Sequence, residues 1–306
     1  MTNTIAWLWI LSDLHLETLP HPDAFAPTPP DFDVLVCAGD VWRADPTHGF
    51  RVLRRLAGQK PVVCVLGNHE HWNSVLGERL PAARKAAEAY GVTLLQGDAV
   101  TLAGCRFVGT TLWSDYALAG DTVKPDGETG EAIRVEQEVE HGPGTALLTI
   151  GATVAQHRIE RARLVELIDA HTGPEPLVVV THHAPHPDCV PPQDHGTFLA
   201  GNGASDLSPL LDTGRIDLWV HGHLHHSVQM ALASGTLIRC NPAGTRFSNS
   251  SFDPALTMPA REICDPIRIR DRLAPVLAMA QAAGPYAPTT WEEEKRFMDE
   301  IWGEED

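Results

Sequence analysis

The chain has 306 residues, with 23 Lys and Arg against 40 Asp and Glu, a formal charge of −17. That balance argues against tracking duplex nucleic acid, a task that runs on Lys and Arg, but bound divalent cations could reverse the sign locally for a small phosphorylated substrate. No apolar run approaches membrane-spanning length, the first basic residue is Arg43 and no two of the six cysteines form a C-x-x-C pair, so the expected setting is a reducing cytoplasm with no membrane partner.

Residues 5–11 form an apolar run of strand length that breaks at Ser12-Asp13-Leu14-His15. A proline-rich loop follows. Residues 34–38 read as a second buried strand ending in Gly39-Asp40, and 47–57 as a short helix. A third strand, 62–66, ends in Gly67-Asn68-His69-Glu70. Residues 80–90 have helical pattern, and strand-like pieces follow at 92–95, 100–102 and 106–108. Strands that end in polar clusters and alternate with helices mark an α/β protein, whose ligands gather at the carboxyl ends of the strands.

Residues 115–152 break this pattern with an acidic, glycine-containing insertion, read as a solvated surface segment or a mobile lid. A helix is expected over 153–171, with Thr153 and Gln156 at capping-box spacing. A strand over 177–180 leads into His182-His183, a loop runs to about Gly203, and a short helix starts at Ser205. The run Ile216, Leu218, Trp219, Val220 then delivers His221-Gly222-His223-Leu224-His225-His226. A hairpin turns about Ser234-Gly235. Helices are expected at 266–283 and 290–302. The chain divides on this reading into a domain over 1–250 and a helical C-terminal extension over 251–306. Cys37, Cys64, Cys105 and Cys240 read as buried small hydrophobes, while Cys189 and Cys264 read as accessible thiols.

The polar strand ends taken in order, Asp13-x-His15, Gly39-Asp40, Gly67-Asn68-His69-Glu70, His182 and Gly222-His223-x-His225, resemble the five-block signature of the calcineurin-like metallophosphoesterases. The resemblance covers residues 5–245. It implies an αββα sandwich carrying two divalent transition-metal ions, Mn or Fe ahead of Zn or Co. Carried over by position, it gives Asp13, His15 and His225 to one ion, Asn68, His182 and His223 to the other, and Asp40 to both. The implied reaction is attack on phosphorus by a hydroxide held between the ions, with His69 as general acid. Glu70 would orient the His69 ring or stand as a surface carboxylate. His183, His221 and His226 would not be ligands. His71, Trp72, Trp42, His186, His195 and Asn202 are candidates for the substrate cleft. A phosphodiesterase acting on a small substrate is favoured over a phosphomonoesterase. A non-catalytic scaffold on the same fold is the reading from another class.

Overall fold

A computed structural model describes residues 6–122, 139–140 and 148–261. The expected helices at 266–283 and 290–302, Cys264 and most of the acidic insertion lie outside the described residues. In chain order the strands are β1 (Trp7–Leu11), β2 (Val34–Cys37), β3 (Val62–Cys64), β4 (Ser74–Val75), β5 (Thr93–Leu94), β6 (Asp98–Leu102) and β7 (Cys105–Thr110). They continue with β8 (Val139–Glu140), β9 (Leu177–Thr181), β10 (Leu218–His221), β11 (Val228–Ala231), β12 (Leu237–Cys240) and β13 (Thr257–Pro259). The helices are α1 (Pro46–Ala57), α2 (Leu80–Ala89), α3 (Ile150–Asp169), α4 (Phe198–Gly203) and α5 (Ser208–Leu211).

Two sheets form the body, in the orders β13-β1-β2-β3-β5 and β11-β12-β10-β9-β7-β6, and β4 pairs with β8 apart from them. Residues along each central strand alternate between two apolar layers, because successive side chains leave opposite faces. Leu8, Ile10, Val34, Val36 and Val63 meet Phe107, Val178, Val180, Leu218 and Val220 between the sheets. Trp9, Leu11, Leu35 and Cys37 pack outward against Phe50, Leu53 and Leu56 of α1. On the other side Val108, Val179, Trp219 and Ile238 pack against Leu164, Leu167 and Ile168 of α3. This is the αββα sandwich. β1, β2 and β3 are mutually parallel, as are β7, β9, β10 and β12. The loops after β1, β2 and β3 therefore emerge at one end of their sheet, and those after β9 and β10 at one end of the other.

Several expectations change. α3 starts a turn earlier than the Thr153 signal, inside the stretch read as insertion. Thr149 caps it by accepting the Ala152 N–H (3.2 Å), and the Thr153 hydroxyl donates back to Thr149 O (3.1 Å). Two threonines one turn apart offered the same cap, and the earlier one took it. The loop before Gly203 contains α4, whose paired glycines hid it from propensity. Cys189 is fully buried rather than accessible, because its loop folds back onto the α3 side of the body. Burial pushes its thiol up to about 12. The sheet also takes one strand beyond residue 250: β13 pairs antiparallel with β1, Leu8 opposite Met258.

Candidate metal centre

The chain reverses sharply after β1, β2 and β10, and these reversals use backbone that L-residues rarely adopt. Asp13 (φ 50°), His15 (41°), Asp40 (55°), His223 (68°) and His225 (49°) all lie in the left-handed region. Single Asp and His residues tolerate this conformation better than bulky apolar ones, and its clustering at one place marks a site held by its surroundings. The loops hold one another. Asp13 N–H donates to Gly39 O and His15 N–H to Asp40 O, both at 3.0 Å, and Gly222 N–H donates to His182 O at 2.9 Å. Gly222 has no room for a side chain, since a Cβ there would stand 2.6 Å from Asp13 Oδ2. A Cβ at Gly39, which has φ 89°, would meet Gly67 N at 2.5 Å and His182 Nδ1 at 2.8 Å. These glycines bring the loops within ligand distance.

The candidate side chains fall into two sets around Asp40. His15 Nε2 and His225 Nε2 are 2.9 Å apart, and His225 Nε2 is 3.6 Å from Asp13 Oδ1. Asn68 Oδ1 lies 2.9 Å from His182 Nε2 and 3.0 Å from His223 Nδ1, with the two nitrogens 3.3 Å apart. Asp40 Oδ2 stands 3.6 Å from His15 Nε2 and 3.4 Å from His182 Nε2. Metal bonds of roughly 2.0–2.2 Å set two donors on one ion about 3–3.5 Å apart, so both sets have the spacing of ligand groups. Among the described residues, Asp13–His15–His225, Asp13–Asp40–His182 and His15–Glu17–His69 each offer ligand atoms within 4.8 Å of one another.

Hydrogen bonding fixes which nitrogen is free. His182 Nδ1–H donates to Ala38 O at 2.7 Å. A carbonyl can only accept, so Nε2 of the neutral ring carries the lone pair toward Asn68 and Asp40. Glu17 Oε1 stands 3.7 Å from His15 Nδ1, beyond hydrogen-bond reach but close enough to act on that ring by charge. Asn202 lies against His223, its Nδ2 at 3.2 Å from Nε2, while its Oδ1 accepts from the Tyr116 hydroxyl at 2.8 Å. Rotating the amide by half a turn lets Oδ1 accept the His223 Nε2–H, which frees Nδ1 as a donor; such orientations are assigned from the network.

Charge follows from this crowding. Burial opposes the cation at His15 and His182, but the carboxylates around them win. Glu17, Asp40 and Asp13 push His15 up to about 9, and Asp40 and Asp13 do the same for His182. Burial opposes ionisation of Asp40, yet His182, His69 and His15 hold it well below the usual carboxylate range. Burial and the neighbouring imidazoles hold His223 well below the ordinary histidine value. A bound cation would replace protons at His15 and His182, so these residues fit divalent ions.

His69 lies with the candidate ligands. Its Nε2 is 3.8 Å from Asp40 Oδ2, and its ring stacks on Trp72 at 3.9 Å. Glu70 does not touch that ring, and it is not at the surface. Buried, it accepts the N–H groups of Asp40, Val41, Trp42 and Gly67, which ties the loop after β2 to the turn after β3. Four backbone donors compete for it more closely than His69 could. His183 is buried with its Nε2 unpartnered and its ring 4.2 Å from that of His223. His221 Nδ1–H donates to Gly222 O, and His226 is exposed. A cleft of ≈ 220 Å³ opens over Asp40, Asn68, His69, His223 and His225. Of the cleft candidates only Asn202 lines it. Trp42 stacks on His48, His195 Nε2–H donates to Val190 O, and His186 accepts the Asp188 N–H. Glu17 was missed, although Asp13, His15 and Glu17 alternate in sequence.

The model of the calcineurin-like phosphoesterases matches residues 6–227. This chain belongs to that family. Phosphopantetheinyl hydrolase from Mycobacterium tuberculosis has a similar structure, with TM-score 0.63 and 20% identity over 84% of this chain and 95% of that one. At that identity the likeness speaks for the phosphoesterase fold alone. A dimetal phosphatase from Danio rerio is more distant, with TM-score 0.41 and 13% identity over 79% of this chain and 88% of its own. No curated protein sequence matches this phosphoesterase significantly. Among its described residues, no helix is long and apolar enough to cross a membrane.

Proposed function

We propose that this chain hydrolyses phosphate esters at a dinuclear metal centre, and diesters of small molecules ahead of monoesters. The observation that carries the reading is the Asp40 carboxylate, whose Oδ2 is 3.6 Å from a donor of one set and 3.4 Å from a donor of the other. One carboxylate between two donor sets suits two divalent ions and offsets their mutual repulsion. Asp13, His15 and His225 would hold one, and Asn68, His182 and His223 the other. Bound there, the ions would polarise phosphoryl oxygens and lower the pKa of an attacking water. The mixed carboxylate, imidazole and amide set suits Mn or Fe, with Zn or Co as alternatives.

The remaining chemistry belongs to the chain. Trp72 fixes the plane of His69, which lines the cleft and donates a proton to the leaving oxygen. Burial holds the free His69 imidazole down at about 4. The negative charge of bound phosphate acts to raise it, toward the protonated form that the acid role needs. A diester brings one negative charge where a monoester brings up to two. Among the described residues lining the cleft there is no Lys or Arg to meet the second.

The test is His69→Ala in Mn-loaded protein, assayed on an alkyl diester and its nitrophenyl counterpart. An alkoxide needs a proton to leave and a nitrophenolate does not. The alkyl ester should lose roughly ten- to a thousand-fold more turnover, with metal content unchanged. Equal losses on the two esters would remove the acid role. A fully loaded wild-type protein that turns over no ester, phosphopantetheinyl esters included, would remove the reading as a hydrolase.

A further inference from the structure

Beyond the candidate ligands, His69 and Asn202, the cleft is built mainly from apolar side chains. Val190, Pro191, Leu199 and Leu224 line it, and Asp194 is the one charged residue outside the cluster. The wall is a fixed structure. His195 Nε2–H donates to Val190 O at 2.9 Å, Asp194 N–H to Pro191 O at 2.9 Å, and Thr197 Oγ1 to Asp194 O at 2.7 Å. Leu224 fills the space beside Gly203, where a Cβ would stand 2.3 Å from its Cδ2. Leu199 is 53% exposed, one of two large hydrophobics so exposed among the described residues, and it borders the centre rather than a core.

Val190 and Pro191 are buried, so the apolar surface left in water beside the charged centre belongs to Leu199 and the partly buried Leu224. An apolar group laid over it during function would remove it from water. The guanidinium of Arg43 offers no counter-charge here, because it packs over Trp72 at 5.1 Å outside this lining. Among the described residues nothing pairs with the Asp194 carboxylate, so it presents an unneutralised negative charge to whatever enters.

We propose that the cleft selects phosphodiesters whose second arm is an uncharged aliphatic chain. The arm lies along Leu199 and Leu224, and Asp194 turns away esters that carry further negative charge. This rests on the phosphoesterase reading and adds the substrate class to it. Each methylene moved from water onto the wall strengthens binding by roughly two- to four-fold until the cleft is filled. Repulsion by Asp194 acts across water and weakens with salt.

The experiment uses n-alkyl p-nitrophenyl phosphates from methyl to hexyl, which share one leaving group, on the full-length Mn-loaded protein. Calorimetry with the matching methyl n-alkyl phosphinates, singly charged and without an ester bond to break, reads binding independently of turnover. The expected result is a KM and a Kd that fall roughly two- to four-fold per methylene over several carbons, with kcat level. Leu199→Ser, at a surface position, should flatten both series and keep the metal. Asp194→Asn should raise kcat/KM for p-nitrophenyl phosphate several-fold relative to the methyl diester at low salt. A flat series in the wild type, or an unchanged slope in Leu199→Ser, overturns the apolar-arm assignment while leaving the phosphoesterase reading intact. An unchanged monoester-to-diester ratio in Asp194→Asn overturns the role given to that carboxylate. Absence of turnover on every ester, with binding still chain-length dependent, overturns the hydrolase reading and keeps this one.

Discussion

At the scale of single residues, the centre is a set of histidines whose protonation is decided by carboxylates. His15 and His182 are pushed up to about 9 by Glu17, Asp40 and Asp13 against the pull of burial. At neutral pH the metal-free site therefore holds protons where the ions would sit. Binding must expel them, so affinity should rise steeply from pH 7 and level off above about 9, with about two protons released per filled centre at pH 7. The sign for stability is opposite. A histidine raised in the folded state stabilises the metal-free chain below its ordinary value of 6.5, and that contribution disappears as pH rises through about 9. Calorimetric metal titrations in buffers of different ionisation enthalpy would count the protons. Pairing them with metal-free melting curves at pH 6.5 and 9 checks both signs. Metal binding without proton release at pH 7 would contradict the account.

At the scale of elements, five strand ends meet because their loops are tied to one another. Glu70 shows how this was only half legible. The sequence placed it beside His69, and alternation offered no hint that its carboxylate would turn inward to four backbone N–H groups. Those bonds span the loops after β2 and β3, so no local pattern could reveal them. Burial and the nearby Asp40 charge push Glu70 up to about 7, with the backbone donors holding it down against them. In Glu70→Gln the new NH2 group faces N–H donors instead of accepting from them. Leaving buried groups unsatisfied costs about 1–3 kcal/mol. The variant should melt lower and bind metal more weakly, although residue 70 belongs to neither ligand set. Unchanged melting and metal content would mean that the loops hold Asp40 without it. The start of α3 and the exposure of Cys189 were misread for a related reason: the helix start and the fold-back of the loop depend on what packs against them. The central strands, by contrast, were legible from uninterrupted apolar runs, since both faces of each are buried.

At the scale of the whole molecule, two sheets bring residues from positions 13 to 225 into one cluster. Order along the chain and the glycine at three of the strand ends made the candidate ligands legible. The left-handed backbone, the Glu17 contact to His15 and the Asn202 contact to His223 were not, because they depend on loops from different sheets. Everything proposed about reactivity depends on one arrangement, a carboxylate from Asp40 shared between two ions. Electron paramagnetic resonance of protein loaded with two equivalents of Mn tests it most directly, because ions held roughly 3.5–4 Å apart couple magnetically. The wild type should give the broad spectrum of a coupled pair, and Asp40→Asn should lose it, with metal content falling to one ion or fewer per chain. An isolated-ion spectrum in the loaded wild type, or an undiminished coupled spectrum in Asp40→Asn, would contradict the assignment.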